Sequence, residues 1–169
     1  IQERKSPPDR RVVLDPKSCQ KLLSAFPTAE LIIESSSIRA FTDTDYSSAG
    51  LDVVSDVSSA EVMIGAKEVP IETLIPNKSY FFFSHTIKKQ PYNRNLLQAI
   101  LDKNITLYDH EVLVDKFHQR LIGFGYYAGV VGAYNGFRAL GLKFDIFHLP
   151  KANTLVDRLA LNQQLDQIK

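Results

Sequence analysis

The chain has 169 residues, 44% apolar and 23% charged. That balance excludes a disordered chain and supports one ordinary hydrophobic core without a disulfide or structural metal. Twenty basic against 19 acidic side chains leave a net charge of +1, so no bulk positive field points to nucleic acid. The single cysteine, Cys19, rules out an intramolecular disulfide framework and agrees with a reducing compartment.

Nothing in the opening residues, IQERKSPPDRR, has the apolar run of a signal peptide, and a cytoplasmic protein is the expectation. Ile1 reads as the tail of a first strand. Asp15 reads as an N-cap with Pro16 at the first helical position, and Cys19, Leu22, Leu23 and Phe26 form the stripe of that helix. Glu30–Glu34 is a strand. Thr42 with Asp45 three residues on opens a short helix that ends near Gly50. Val53 and Val54 mark another strand, followed by Glu61–Ala66 (EVMIGA) and Tyr80–Phe83 (YFFF). The last two read as near-continuous apolar runs, as strands covered on both faces do.

Pro91 starts a helix on which Leu96, Leu97, Ile100 and Leu101 share a face, and Ile105–Tyr108 is the next strand. Val112–Phe124 has two apolar runs about a polar centre and suits a hairpin. Helices are expected from Tyr126 to about Leu140 and from Thr154, paired with Asp157 as a cap, to Ile168. Strand and helix signals alternate throughout, which predicts an α/β domain with a mostly parallel sheet. The uncharged stretch Leu121–Phe137, 17 residues with five glycines, falls short of the ~20 needed to span a bilayer. No membrane is implied.

Ligands of parallel sheets bind beyond the carboxyl ends of the strands. The residues found there are Lys67 after EVMIGA, Ser84, His85 and Thr86 after YFFF, and Asp109, His110 and Glu111 after ITLY. Lys67 and His85 hold equivalent places on strands that can be neighbours. A lysine can hold a carboxylate or polarise a carbonyl, and a histidine can exchange a proton near neutral pH. Taken singly, Lys67 reads as well as a solvated lysine and His85 as a hydrogen-bonded histidine; their matching placement favours a shared site. Arg10 or Arg11 could grip a carboxylate with two hydrogen bonds, or belong to a basic surface patch. Lys88 and Lys89 read as a solvated turn.

Gly123–Ala128 (GFGYYA) matches G-x-G-x-x-A, with Asp145 about 20 residues on. The strand before it is weak, and glycines continue at 129, 132 and 136, so close helix packing is the better reading and dinucleotide binding the lesser one. The histidines at 85, 110, 118 and 148 lack close ligand spacing and a cysteine partner, so no metal is expected. The sequons at Asn77 and Asn104 have no secretion signal to give them meaning.

Lys5–Pro16 (KSPPDRRVVLDP), Gly65–Pro70 (GAKEVP), Ile75–Tyr80 (IPNKSY) and Phe82–Leu97 (FFSHTIKKQPYNRNLL) resemble the alanine dehydrogenase and lysine-forming saccharopine dehydrogenase superfamily. With Asp109–Glu111 and Gly123–Gly132, Phe82–Leu97 is most similar to the lysine–2-oxoglutarate reductase branch. The resemblance implies a flavodoxin-like three-layer α/β/α substrate domain of an NAD- or NADP-dependent enzyme, with a nucleotide-binding Rossmann domain after Lys169. It implies amino-acid and 2-oxo-acid substrates, leaves room for a homo-oligomer, and makes the isolated chain inactive. Its motifs carry over to Arg11 as carboxylate clamp, Lys67 as substrate-binding and catalytic residue, and His85 as general acid/base. Saccharopine formation ranks ahead of reductive amination of pyruvate to alanine; a non-catalytic sensing or interaction domain of the same fold is the alternative of another class. Asp15 departs from the family pattern and stands close enough in sequence to compete for Arg11.

Overall fold

The computed structural model describes residues 9–168, and the chain divides into two compact units, Ile1–Ile122 and Gly123–Lys169. The strand expected at Ile1 lies outside the described residues.

In the first unit, α1 (Pro16–Ala25) starts where the sequence puts it: the Asp15 carboxylate accepts the Ser18 N–H at 2.6 Å and Pro16 follows. Cys19 is fully buried, but Phe26 is 64% exposed. Phe26 is the C-cap, with φ −131° and ψ 76°, so its side chain has left the helical stripe it was expected to complete. β1 (Ile32–Glu34) leads to α2 (Asp43–Ser48), closed by the predicted reciprocal cap: Asp45 N–H donates to Thr42 Oγ1 at 3.2 Å and Thr42 N–H to Asp45 Oδ2 at 2.6 Å. β2 (Asp52–Val54) pairs parallel with β1, Ile32 opposite Asp52. Cys19, Tyr46 and Leu51 form the core beside this pair.

β3 (Val62–Ile64), β4 (Ser79–Phe82) and β5 (Thr106–Asp109) make a second parallel sheet in the order β3-β4-β5. The expected single sheet is, among the described residues, two sheets of two and three strands. β4 alternates instead of being buried on both faces. Tyr80 and Phe82 enter the core, while half-buried Phe81 stacks on Tyr108 with ring centroids 4.4 Å apart. On α3 (Arg94–Asp102), Leu96 and Ile100 are buried against Met63, Tyr80 and Phe82, whereas Leu97 and Leu101 are exposed. Each lies one residue, 100° of rotation, beyond the inward pair, and the short sheet covers only one row. The expected hairpin shrinks to one antiparallel bridge, Val114–Arg120, with His118 at φ +61° in its turn. The fold is α/β, with parallel sheets flanked by helices, consistent with a flavodoxin-like three-layer domain.

In the second unit, α4 (Gly125–Phe144) runs longer than expected. α5 (Arg158–Asp166) starts later, because Asp157 is itself the cap and accepts the Ala160 N–H at 2.8 Å. Thr154 instead ends a short 3₁₀ turn. Tyr134, Leu149 and Leu161 form this unit's core. The close packing expected of the helix glycines is found at Gly141, where a Cβ would strike Phe147. Gly125, Gly129, Gly132 and Gly136 face open space. Among the described residues no helix is long and apolar enough to cross a membrane.

Candidate functional site

Three strand ends meet in the first unit. β4 passes through Ser84, which is fully buried, and turns sharply at His85, whose φ is +56°. A non-glycine residue in this left-handed region is uncommon, and such conformations gather at functional sites. The turn is fastened on both sides. The Ser84 hydroxyl donates to Asp109 Oδ2, Asp109 Oδ1 accepts the Glu111 N–H at 2.9 Å, and Asn93 Nδ2 donates to the His85 carbonyl at 3.3 Å. Buried Asp109 thereby locks the end of β4 to the end of β5.

These fastenings place His85 between a lysine and a glutamate. Lys67 Nζ lies 2.9 Å from His85 Nε2, and His85 Nδ1 lies 3.0 Å from Glu111 Oε2. Lys88 Nζ also lies 3.2 Å from Nδ1, but a carboxylate only accepts, so Nδ1 carries the imidazole proton and donates it to Glu111 while Nε2 accepts from Lys67. Glu111 is 8% exposed. Its other oxygen, Oε1, takes Lys88 Nζ at 3.1 Å and Arg120 Nη2 at 2.9 Å. Burial pushes the Glu111 carboxyl up, but hydrogen bonds from His85 and Lys88 and their charges outweigh it and hold it at about 2. Glu111 is therefore ionised across the whole physiological range.

Arg11 is paired with Asp9. Its Nε donates to Asp9 Oδ1 at 2.9 Å and its Nη2 to Oδ2. The Asp9 carboxyl is lowered first by the hydrogen bond from Arg11, with burial opposing, and last by the charge of Lys67. Asp15 is not the competing acid, since its carboxylate caps α1. A cavity of about 460 Å³ runs beside Asp9 and Arg11 between β1 and β3, but neither Lys67, His85 nor Glu111 lines it. The groups of the cluster are of types that can exchange a proton, whereas the cavity walls near β1 and β3 are largely apolar.

Sequence reasoning thus finds Lys67 and His85, and the structure brings them into contact. Glu111 was visible only as one polar residue after a strand. Lys88 lies on an exposed turn, as the sequence suggests, but the 3₁₀ turn Thr86–Lys88 also brings its ammonium to Glu111, a contact the sequence does not reveal. Arg120 had no local signal, because the bridge to Val114 is what carries it to Glu111. Two buried polar atoms nearby, Glu68 Oε2 and His110 Nδ1, have no hydrogen-bond partner. Gly123 and Gly125 lack the setting of a dinucleotide fingerprint, because a short bridged turn precedes them where the fingerprint needs a strand.

Residues 1–131 match the family model described as alanine dehydrogenase/PNT, N-terminal domain. The mitochondrial alpha-aminoadipic semialdehyde synthase of Bos taurus is 38% identical over 135 residues, covering 80% of this chain and 14% of that protein. A saccharopine dehydrogenase (NAD(+), L-lysine-forming) of Yarrowia lipolytica is 34% identical over 135 residues, covering 77% of this chain and 36% of that protein. The chain therefore spans a minor part of either relative. A solved L-alanine dehydrogenase superposes on 66% of this chain and 31% of its own, with a TM-score of 0.53 at 21% identity, a likeness of fold.

Proposed function

The chain belongs to the alanine dehydrogenase/PNT N-terminal domain family, and on that premise we propose that it is the substrate domain of a longer NAD- or NADP-dependent amino-acid dehydrogenase. The reaction is the joining of an amine to a 2-oxo acid with reduction of the imine, as in the lysine-forming saccharopine dehydrogenases it is similar to. The observation that carries the reading is the Lys67–His85–Glu111 chain, with contacts of 2.9 and 3.0 Å. Both lie within the range over which a proton can be handed on.

Arg11 holds a substrate carboxylate by its planar fork, for which Asp9 is the resident stand-in until substrate arrives. Lys67 is directed at the carbonyl oxygen or the developing amine. His85 accepts through Nε2 the proton that the attacking amine must lose, while Glu111, already ionised, stabilises the imidazolium through Nδ1–H. Lys67 and His85 share that proton as a coupled pair rather than as two independent groups. Lys88 and Arg120 draw on the same carboxylate and keep its charge from fixing the imidazolium permanently. The hydride would come from a dinucleotide held mainly by residues outside this chain.

The test is an assay of the longer parent protein with NADH or NADPH and 2-oxoglutarate plus lysine, against ammonia plus pyruvate. Turnover with lysine is expected, with a fall of ~10²–10⁴ in kcat for His85→Gln and an unchanged thermal melt. Turnover only with pyruvate and ammonia moves the reading to alanine formation. No turnover in either mixture, or a His85→Gln enzyme at parental rate, removes the reading.

A further inference from the structure

We propose that His110 is the positioning residue that aims Lys67 at His85, by holding a one-residue slip in the β3–β4 ladder. The proposal deepens the reading above and rests on it for its purpose. In the ladder, Gly65 N–H donates to the Phe81 carbonyl at 2.8 Å. Regular parallel pairing would next give the Gly65 carbonyl to Phe83 N–H. Phe83 N–H instead donates to the Ala66 carbonyl at 3.3 Å. One extra residue has entered on the β3 side, as in a β-bulge, and a slip of one residue turns every side chain beyond it to the opposite face. Lys67 is the next residue.

The Gly65 carbonyl displaced by this slip is taken by His110 Nε2 at 3.0 Å. His110 follows β5, so its side chain reaches across the end of β4, standing edge-on to Phe83 with centroids 5.2 Å apart. Phe83 also stacks on His85. A carbonyl only accepts, so Nε2 carries the imidazole proton, and the ring is buried to 4% exposure with Nδ1 unpaired. His110 is therefore buried for a single directed bond. Without that donor, the Gly65 carbonyl is free to recover Phe83 N–H, the ladder becomes regular, and Lys67 turns away from His85 Nε2.

The test uses ¹⁵N-labelled chain at mildly alkaline pH, where the His85 Nε2 resonance reports whether that nitrogen accepts a hydrogen bond; no turnover is needed, so its outcome is independent of the substrate assay. Lys67→Met marks the position of the resonance when the contact is lost. His110→Asn, whose amide is too short to reach Gly65, is expected to move it downfield to the Lys67→Met position. His110→Gln, which puts an N–H donor near the place of Nε2, is expected to restore the parental value. A folded His110→Asn chain with the parental resonance overturns the proposal. If that variant fails to fold, His110→Phe, which keeps the ring volume against Phe83, makes the same comparison. In the parental chain itself, absence of a coupling across the His110 Nε2–Gly65 carbonyl bond also overturns it.

Discussion

At the scale of single residues, Glu111 sets the electrostatics of the cluster. Three cationic or protonatable groups converge on one buried carboxylate: His85 on one oxygen, Lys88 and Arg120 on the other. Lys88 and Arg120, with side chains 46% and 57% exposed, stay solvated when it is replaced, so the loss falls mainly on the His85 contact. The sign of the pH dependence follows from its carboxyl, held at about 2 from an ordinary 4.5. A depressed folded value adds stability that is present above the unfolded value and lost as pH falls through the folded one. Glu111→Gln should therefore be less stable than the parent at pH 7, and the gap should close between roughly pH 4.5 and 2. Thermal melts of both chains across that window check this; a gap that stays constant as the pH falls would show that Glu111 contributes nothing through its charge.

At the scale of elements, burial on α3 separates two leucines that the sequence treats alike. Leu96 is 6% exposed and packs with Ile100 against β3 and β4; Leu97 is 41% exposed. Leu96→Ala should cost about 2–5 kcal/mol, as truncations in a closed core do. Leu97→Ala should change stability by no more than about 0.5 kcal/mol. Chemical denaturation of the two variants makes the comparison, and equal losses would mean that another surface covers Leu97. The same contrast explains how much was legible. The caps at Asp15 and at Thr42–Asp45 were readable because their partners lie three residues away. The ends of β3 and β4 are readable because the apolar runs give way to Lys67 and to Ser84–His85. Phe26 leaves its stripe at the C-cap, and of the four residues on one face of α3 only Leu96 and Ile100 are buried, because a helical stripe gives a direction, not the width of the surface it meets. Lys88, Arg120 and the ladder slip at Gly65 depend on pairings across 9 to 45 residues, which periodicity does not encode.

At the scale of the molecule, the two units divide the chain's features unequally. Every proton-carrying group of the cluster lies before Ile122, whereas the glycine-rich helix that imitates a dinucleotide fingerprint lies after it. The phosphates of a dinucleotide need the exposed N–H groups of a helix start, brought up by a strand and a tight glycine turn. Here α4 begins at Gly125 from a segment whose strand content is the single Val114–Arg120 bridge. A free helix start alone offers about 0.3–1 kcal/mol to an anion when solvent-exposed. Micromolar binding requires about 8 kcal/mol, so the shortfall is nearly the whole of it. Calorimetric titration of this 169-residue chain with NADH should give no saturable heat at micromolar ligand. A low-micromolar dissociation constant, abolished by Gly123→Val together with Gly125→Val, would restore the glycine pair as a nucleotide site. It would also move the dinucleotide onto the same polypeptide segment as the substrate groups. If the heat is absent here but appears in the longer parent, the division of labour is fixed: this chain orients the substrate and moves its proton, and the hydride donor is held by residues outside it.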